Sequence, residues 1–264
     1  MSNLSKLQLW MQENNIDIFI VNRTDEFLGE YIAPYAERLK WVSNFSGSSG
    51  KAIILKNSAF IFVDGRYTFQ AKYEVNNKIF QIEHLVDFWK WFKKVLSNNF
   101  IIGLDPSLHS KDDINKINKL LKDFKSQINY LEINPIDLLW KNQPLQPKSK
   151  SFIQEIRYSG KSTEKKVKQI QTILINNKIN YYLLTALDSI AWLLNIRGND
   201  ISHTPLSLAY AIITSHNKVE LFIDHNKIKD IEKQLNSYVN FHTFESIKEA
   251  AYLLSLKSAL FFTL

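Results

Sequence analysis

The chain has 264 residues, 45% of them hydrophobic, a formal net charge of +7 and no cysteine. That much apolar material fills one large core or two ordinary ones and excludes a disordered chain, while the lack of Cys excludes disulfides, thiolate nucleophiles and Cys-ligated zinc. The positive charge comes from Lys dispersed among Asn and Ile rather than from a basic stripe, so no nucleic-acid partner is expected, and no apolar run approaches the length of a membrane span.

In chain order, Leu4 to Asn14 predicts a helix with Leu4, Leu7 and Met11 on one face. It carries no small-residue cleavage site, so it is not a signal peptide and a cytoplasmic location is expected. Asp17 to Val21 is a short apolar run that predicts a buried strand. Thr24-Asp25-Glu26 offers a capped helical turn reaching Tyr31, with Pro34 as its stop. The loop Ser46-Gly47-Ser48-Ser49-Gly50 is rich in glycine but opens a strand, Ala52 to Leu55, where a phosphate loop would open a helix. A hairpin follows, its second strand running from Ala59 to Asp64. Asp64-Gly65-Arg66-Tyr67 then passes from strand to a helix ending near Tyr73. A strand near Ile79 to Glu83, a helix from Asp87 to Leu96 and a strand from Phe100 to Asp105 are next. A helix from Ser110 to Leu121 and a strand near Ile128 to Leu131 complete the first half. Residues 139–150 hold Pro144 and Pro147 and no apolar period. The expected division is domain I over 1–140, a linker over 141–150 and domain II over 151–264.

The second half opens with a helix, Ser162 to Asn176, and a strand, Tyr181 to Leu184. The stretch from Leu187 to Pro205 pairs a short amphipathic helix with a loop concentrating Arg197, Asp200 and His203 around Gly198, and a strand is expected to begin near Leu208. A second hairpin runs from Ala209 to Thr214 and from Val219 to Asp224. A helix finishes at Leu254, and Ser258 to Leu264 reads as a buried strand with no polar tail, which suggests a polypeptide shorter than the architecture it descends from. The order of elements repeats between the halves, and Ala52-Ile53-Ile54 even reads like Ala211-Ile212-Ile213. An internal duplication is expected, each copy a mixed sheet flanked by helices.

Arg66 and Tyr67 follow a strand end, where α/β domains often place functional groups. The alternative is that Asp64 caps the next helix and Arg66 pairs with a carboxylate. Arg197, Asp200 and His203 suggest a polar cluster fixing the loop against another domain, or a structural loop with Gly198 at positive φ and Asp200 bonding backbone amides. Trp192 is expected in the core, and Asp188 as the cap of a helix beginning at Ser189. The six His include no His-Glu-x-x-His and no pair at ligand spacing, and there is no Gly-x-Ser-x-Gly elbow, so no residue is nominated as catalytic or metal-binding.

Several stretches in order resemble the N-terminal region of aminopeptidase P, the Xaa-Pro aminopeptidases of the creatinase and prolidase superfamily. They are Tyr31-Ile32-Ala33-Pro34, Trp41 to Gly50, Val63-Asp64-Gly65-Arg66-Tyr67 with Gln70-Ala71, and Thr185 to Asp200. The resemblance implies two similar creatinase-type α/β domains followed, in the parent, by a C-terminal pita-bread domain that holds two divalent metals, usually manganese. Their ligands, two Asp, one His and two Glu, belong to that third domain, which is absent from this sequence; Asp188 and Asp200, though at a tempting interval, belong to the second-domain signature. The expected function is therefore that of the non-catalytic N-terminal region of an Xaa-Pro aminopeptidase-like protein, binding no cofactor and inactive alone. The family reaction is metal-dependent release of an N-terminal residue preceding proline. The partners implied are a homodimer, a separately encoded catalytic domain, and peptide substrate only with that domain. Arg66, Tyr67, Arg197, Asp200 and His203 are the candidates for facing substrate or that domain. The alternative is a stand-alone protein- or peptide-binding or oligomerisation module.

Overall fold

In the computed structural model, α1 (Asn3–Glu13) opens on Ser2, whose hydroxyl accepts from the Ser5 amide, and buries Leu4, Leu7 and Met11. The strand it precedes, β1 (Ile18–Asn22), is buried along its whole length, as a continuous apolar run must be when helices cover both faces of a sheet. Phe19 and Val21 enter a core with α1, while Ile18 and Ile20 enter a second core on the opposite face. The structure describes residues 1–257 and 261–262; residues 258–260 and 263–264, with most of the strand expected over Ser258 to Leu264, lie outside the described residues.

The chain divides into two compact units between Leu145 and Gln146. Unit 1 continues with α2 (Arg38–Ser43), β2 (Gly50–Leu55), β3 (Ala59–Val63), α3 (Thr68–Glu74), β4 (Phe80–His84), α4 (Phe88–Val95), β5 (Ile101–Leu104), α5 (Lys111–Leu121), β6 (Gln127–Tyr130) and α6 (Pro135–Leu139). The sheet order is β4-β3-β2-β1-β5-β6. β2 runs antiparallel to both neighbours and every other pair is parallel. The remaining strands therefore all end at one edge of the sheet.

Unit 2 holds β7 (Phe152–Ile153), α7 (Ile156–Ser159), α8 (Thr163–Asn176), β8 (Tyr181–Leu184), α9 (Leu187–Leu194), β9 (Ile196–Arg197), β10 (Tyr210–Thr214), β11 (Val219–Phe222), α10 (His225–Ile228), α11 (Glu232–Leu235), β12 (Val239–His242), α12 (Ile247–Lys257) and β13 (Phe261–Phe262). Its main sheet, β12-β11-β10-β8-β13, repeats the first with the same alternation: β10 is antiparallel to both neighbours, and β12 and β13 pair in parallel. The repeat reaches single residues. α2 and α9 both end on an asparagine in the left-handed region, Asn44 at φ 68° and Asn195 at φ 54°, and Asp64 and Asp224 each accept a bond from the amide two residues on.

Some expectations need correction. Thr24 to Tyr31 forms no helix, because the short Asp25 side chain folds back to accept from the Phe27 and Gly29 amides and closes a turn instead. α9 starts at Leu187 rather than Ser189; Asp188 lies inside its first turn, accepting from the Ser189 amide at 2.7 Å. Trp192 is 45% exposed, since Leu187, Ile190, Ala191 and Leu194 already occupy the buried stripe of a 3.6-residue period. β10 begins at Tyr210 rather than near Leu208. Among the described residues no helix is long and apolar enough to cross a membrane.

Candidate functional site

In unit 1 the shared strand edge carries a cleft of about 440 Å³ lined by Arg23, Glu30, Ser48, Lys51, Arg66 and Asp113, among others. Arg66 points outward, its side chain 66% exposed, with Nε 2.8 Å from Asp64 Oδ1. The same carboxylate oxygen accepts from the Arg66 amide, and these bonds hold Asp64 below the usual carboxylate range. Asp64 thus caps the turn and pairs with Arg66 at once. Tyr67 is half-buried: its ring packs edge-on against Phe45, 5.8 Å between centroids, and its hydroxyl lies 2.8 Å from Ser48 Oγ. Ser48 in turn bonds Glu30 Oε1 at 3.1 Å.

Behind this surface lies a buried polar layer that hydropathy alone assigns to solvent. Arg23 bonds Glu37 at 3.0 Å, while its Nε and Nη1 have no protein partner. Arg38 grips Asp137 with two bonds of 2.8 and 2.9 Å across 99 residues of chain. Asp25 is fully buried, and desolvation pushes its carboxyl up to about 6 against the pull of two backbone bonds. His109 is held below its ordinary value by burial, its Nδ1 bonded to the Asp105 carbonyl. Of these, only Asp25, a short acid ahead of Gly29, has a local sequence signal for its role, that of a turn former.

The signature stretch of unit 2 is occupied with closing its own helix. Arg197 Nη1 donates to the carbonyls of Ala191 and Ile196, each at 2.8 Å. Lys166 Nζ reaches the Trp192 carbonyl and Asn195 Oδ1 at 2.8 and 2.6 Å, and Thr163 donates to the Leu194 carbonyl. These side chains satisfy carbonyls that the end of α9 leaves unpaired, where cations also oppose the helix dipole. The Trp192 ring covers Lys166, its centroid 4.8 Å from Nζ; burial, then Arg197 and Lys161, lower the lysine's pKa.

Asp200 turns inward with its side chain 0% exposed. It accepts from Lys227 Nζ at 2.6 Å, the Leu208 amide at 2.7 Å and Ser149 Oγ at 2.5 Å. Gly198 does not adopt positive φ; that conformation falls on Asn195 and His203. The glycine is required for closeness, since a Cβ there would run into Ser207 Oγ and lie 3.1 Å from the Leu206 carbonyl. His203 stands exposed at its turn. Arg197, Asp200 and His203 are therefore not gathered into one constellation: the first serves α9, the second an interior ion pair, and the third faces solvent. Among the described residues no three His, Asp or Glu converge as a metal would need, so these side chains do not fit a dinuclear centre.

A model of the creatinase/prolidase N-terminal domain matches residues 3–132, and a second of the same description matches residues 142–262. A probable Xaa-Pro aminopeptidase P of Paracoccidioides brasiliensis is 34% identical over 254 residues, 94% of this chain and 41% of the relative. One from Ajellomyces dermatitidis is 33% identical over 96% of the chain and 42% of its own length. Among solved structures, an X-prolyl aminopeptidase from Caenorhabditis elegans, described as a cytosolic enzyme with a di-nuclear active site, superimposes with a TM-score of 0.88 at 26% identity. That likeness covers 97% of this chain and 44% of the nematode enzyme. The chain thus spans well under half the length of the relatives it matches.

Proposed function

We propose that this chain, which belongs to the creatinase/prolidase N-terminal domain family in both of its units, is the non-catalytic N-terminal part of an Xaa-Pro aminopeptidase-like protein and is inactive by itself. The observation that carries the reading is the tandem of family domains along nearly the whole chain, set against relatives of which it spans 41% to 44%. The interior chemistry supports it: Arg197 and Asp200 are spent on holding unit 2 together, so neither is placed to move a proton on a substrate. Metal-dependent release of a residue preceding proline needs a ligand set that the described residues do not assemble.

In this reading the two units shape and present a catalytic domain, their own in a longer polypeptide, a separately encoded one, or that of a second copy in a homodimer. Arg66, with its exposed guanidinium, and His203 are the groups that reach outward, and Tyr67 fixes the surface beside Arg66. The likeness to an enzyme described as cytosolic supports placing the protein in the cytoplasm. The test is an assay of the purified chain on Xaa-Pro peptides with added manganese. No turnover above buffer is expected, and turnover by the chain alone overturns the proposal.

A further inference from the structure

One wall of the unit 1 cleft is a loop built over a buried carboxyl. Thr24, Leu28, Gly29 and Glu30 line the cleft, and residues 24–31, to which they belong, contain neither helix nor strand. Asp25 lies beneath them, 0% exposed. Its Oδ1 accepts from the Phe27 and Gly29 amides at 3.1 and 3.0 Å, while its Oδ2 is buried with no donor. Gly29 is the cover: a Cβ there would lie 3.3 and 3.6 Å from the two carboxylate oxygens. A carboxyl so enclosed loses the water that would solvate its charge and bonds no cation in exchange, so the closed loop favours the neutral form.

The groups that face Asp25 leave this preference in place. Arg23 is near enough to feel its charge but bonds Glu37, at 3.0 Å. Glu26, the next residue, repels a second negative charge, and Tyr35 from the following turn donates its hydroxyl to Glu26 at 2.7 Å rather than to Asp25. Burial first and Glu26 with it raise the Asp25 carboxyl from 3.8 to about 6, against the backbone bonds. The tip of the loop has slight fastenings of its own. Thr24 Oγ1 reaches the Gly29 carbonyl only at 3.4 Å, and Glu30 meets Ser48 through an exposed bond of 3.1 Å. Leu28, 40% exposed, stands at φ 56°, a left-handed backbone unfavourable to a side chain. Phe27, 7% exposed, anchors the loop behind the tip.

We propose that residues 28–30 form a proton-held flap on the unit 1 cleft, closed over Asp25 while that carboxyl is neutral and opening more readily once it is ionised, because lifting Gly29 admits water to the carboxylate. The device does not depend on the peptidase reading. The experiment is amide hydrogen exchange of the whole chain at pH 5 and pH 7.5, corrected for the intrinsic pH dependence of exchange, for the wild type and for Asp25→Asn. With the carboxyl at about 6 when covered and 3.8 when open, opening becomes about tenfold more frequent over that interval. Protection of the Gly29 amide should fall by that factor in the wild type, stay level in the variant, and stay level at Ile53 and Ile61 in the sheet. A neutral gadolinium chelate should also broaden the Ser48 and Ser49 amides of the cleft more at pH 7.5 than at pH 5. Unchanged Gly29 protection in the wild type overturns the proposal. So does an equal fall at Ile53 and Ile61, which would tie Asp25 to unfolding of the whole unit, an equal fall in the variant, or a cleft no more open to the chelate. The wild-type comparison of loop and sheet decides the matter even if the variant misfolds.

Discussion

Asp25→Asn is expected to stabilise unit 1 at neutral pH and to leave it little changed in acid. Burial raises the Asp25 carboxyl from 3.8 to about 6, so the folded state binds its proton more tightly than the unfolded state. The stability this contributes is fully present below pH 3.8 and is lost as the pH rises through about 6. At ~1.4 kcal/mol per pH unit the difference is ~3 kcal/mol. Asparagine copies the neutral form, and because Oδ1 alone accepts from both the Phe27 and Gly29 amides, the turn keeps its bonds. Oδ2, buried and without a protein partner, loses nothing but its charge. The assay is denaturant unfolding of both proteins from pH 4 to pH 8 followed by tryptophan fluorescence, since five of the six Trp, at 10, 41, 89, 91 and 140, lie in unit 1. Subtracting the wild-type curve removes the other carboxylates and should leave a gain for the variant that grows to ~3 kcal/mol by pH 7.5. A difference of opposite sign refutes the reasoning: it would mean that Asp25 swings onto the open Nε and Nη1 of Arg23 and is stabilised as an anion.

The other predictions concern unit 2. Gly198→Ala should cost about 1–3 kcal/mol, as overpacking does, because its Cβ meets Ser207 Oγ; pairing it with Ser207→Ala should recover part of the lost melting temperature. Asp200→Ala strands Lys227, 5% exposed at its side chain, and should cost about 3–5 kcal/mol in denaturant unfolding, whereas Asp200→Leu with Lys227→Leu should cost less. Lys166→Met removes the bonds to the Trp192 carbonyl and Asn195. About 1–3 kcal/mol is the expected loss, with faster amide exchange in α9 as the local readout.

Much of this protein is legible without coordinates. Strand runs such as 52–55 and 59–63, the stripe Leu4, Leu7, Met11 and the recurrence of one hairpin in the other half express periodicities of local backbone geometry, so the sequence carries them directly. From them follow the α/β class and the duplication, and the length and order of the shared motifs point to the family. What the sequence could not say is where polar side chains turn. Asp25 looks like a helix cap and is a buried turn former. Asp200 reads either as an outward group or as a partner of backbone amides, and it is the anion of an interior ion pair with Lys227 that also accepts from the Leu208 amide. Arg38 finds Asp137 from 99 residues away, and Gly198 is fixed by the approach of Ser207 rather than by its own φ. Each of these depends on a partner brought close only when the sheet has formed, and no period in the chain records such a meeting. The sequence by itself determined the elements and their repetition, because those are local; the tertiary structure decided which charges are buried and which groups remain to face a partner, because desolvation and pairing exist only between segments that folding has brought together.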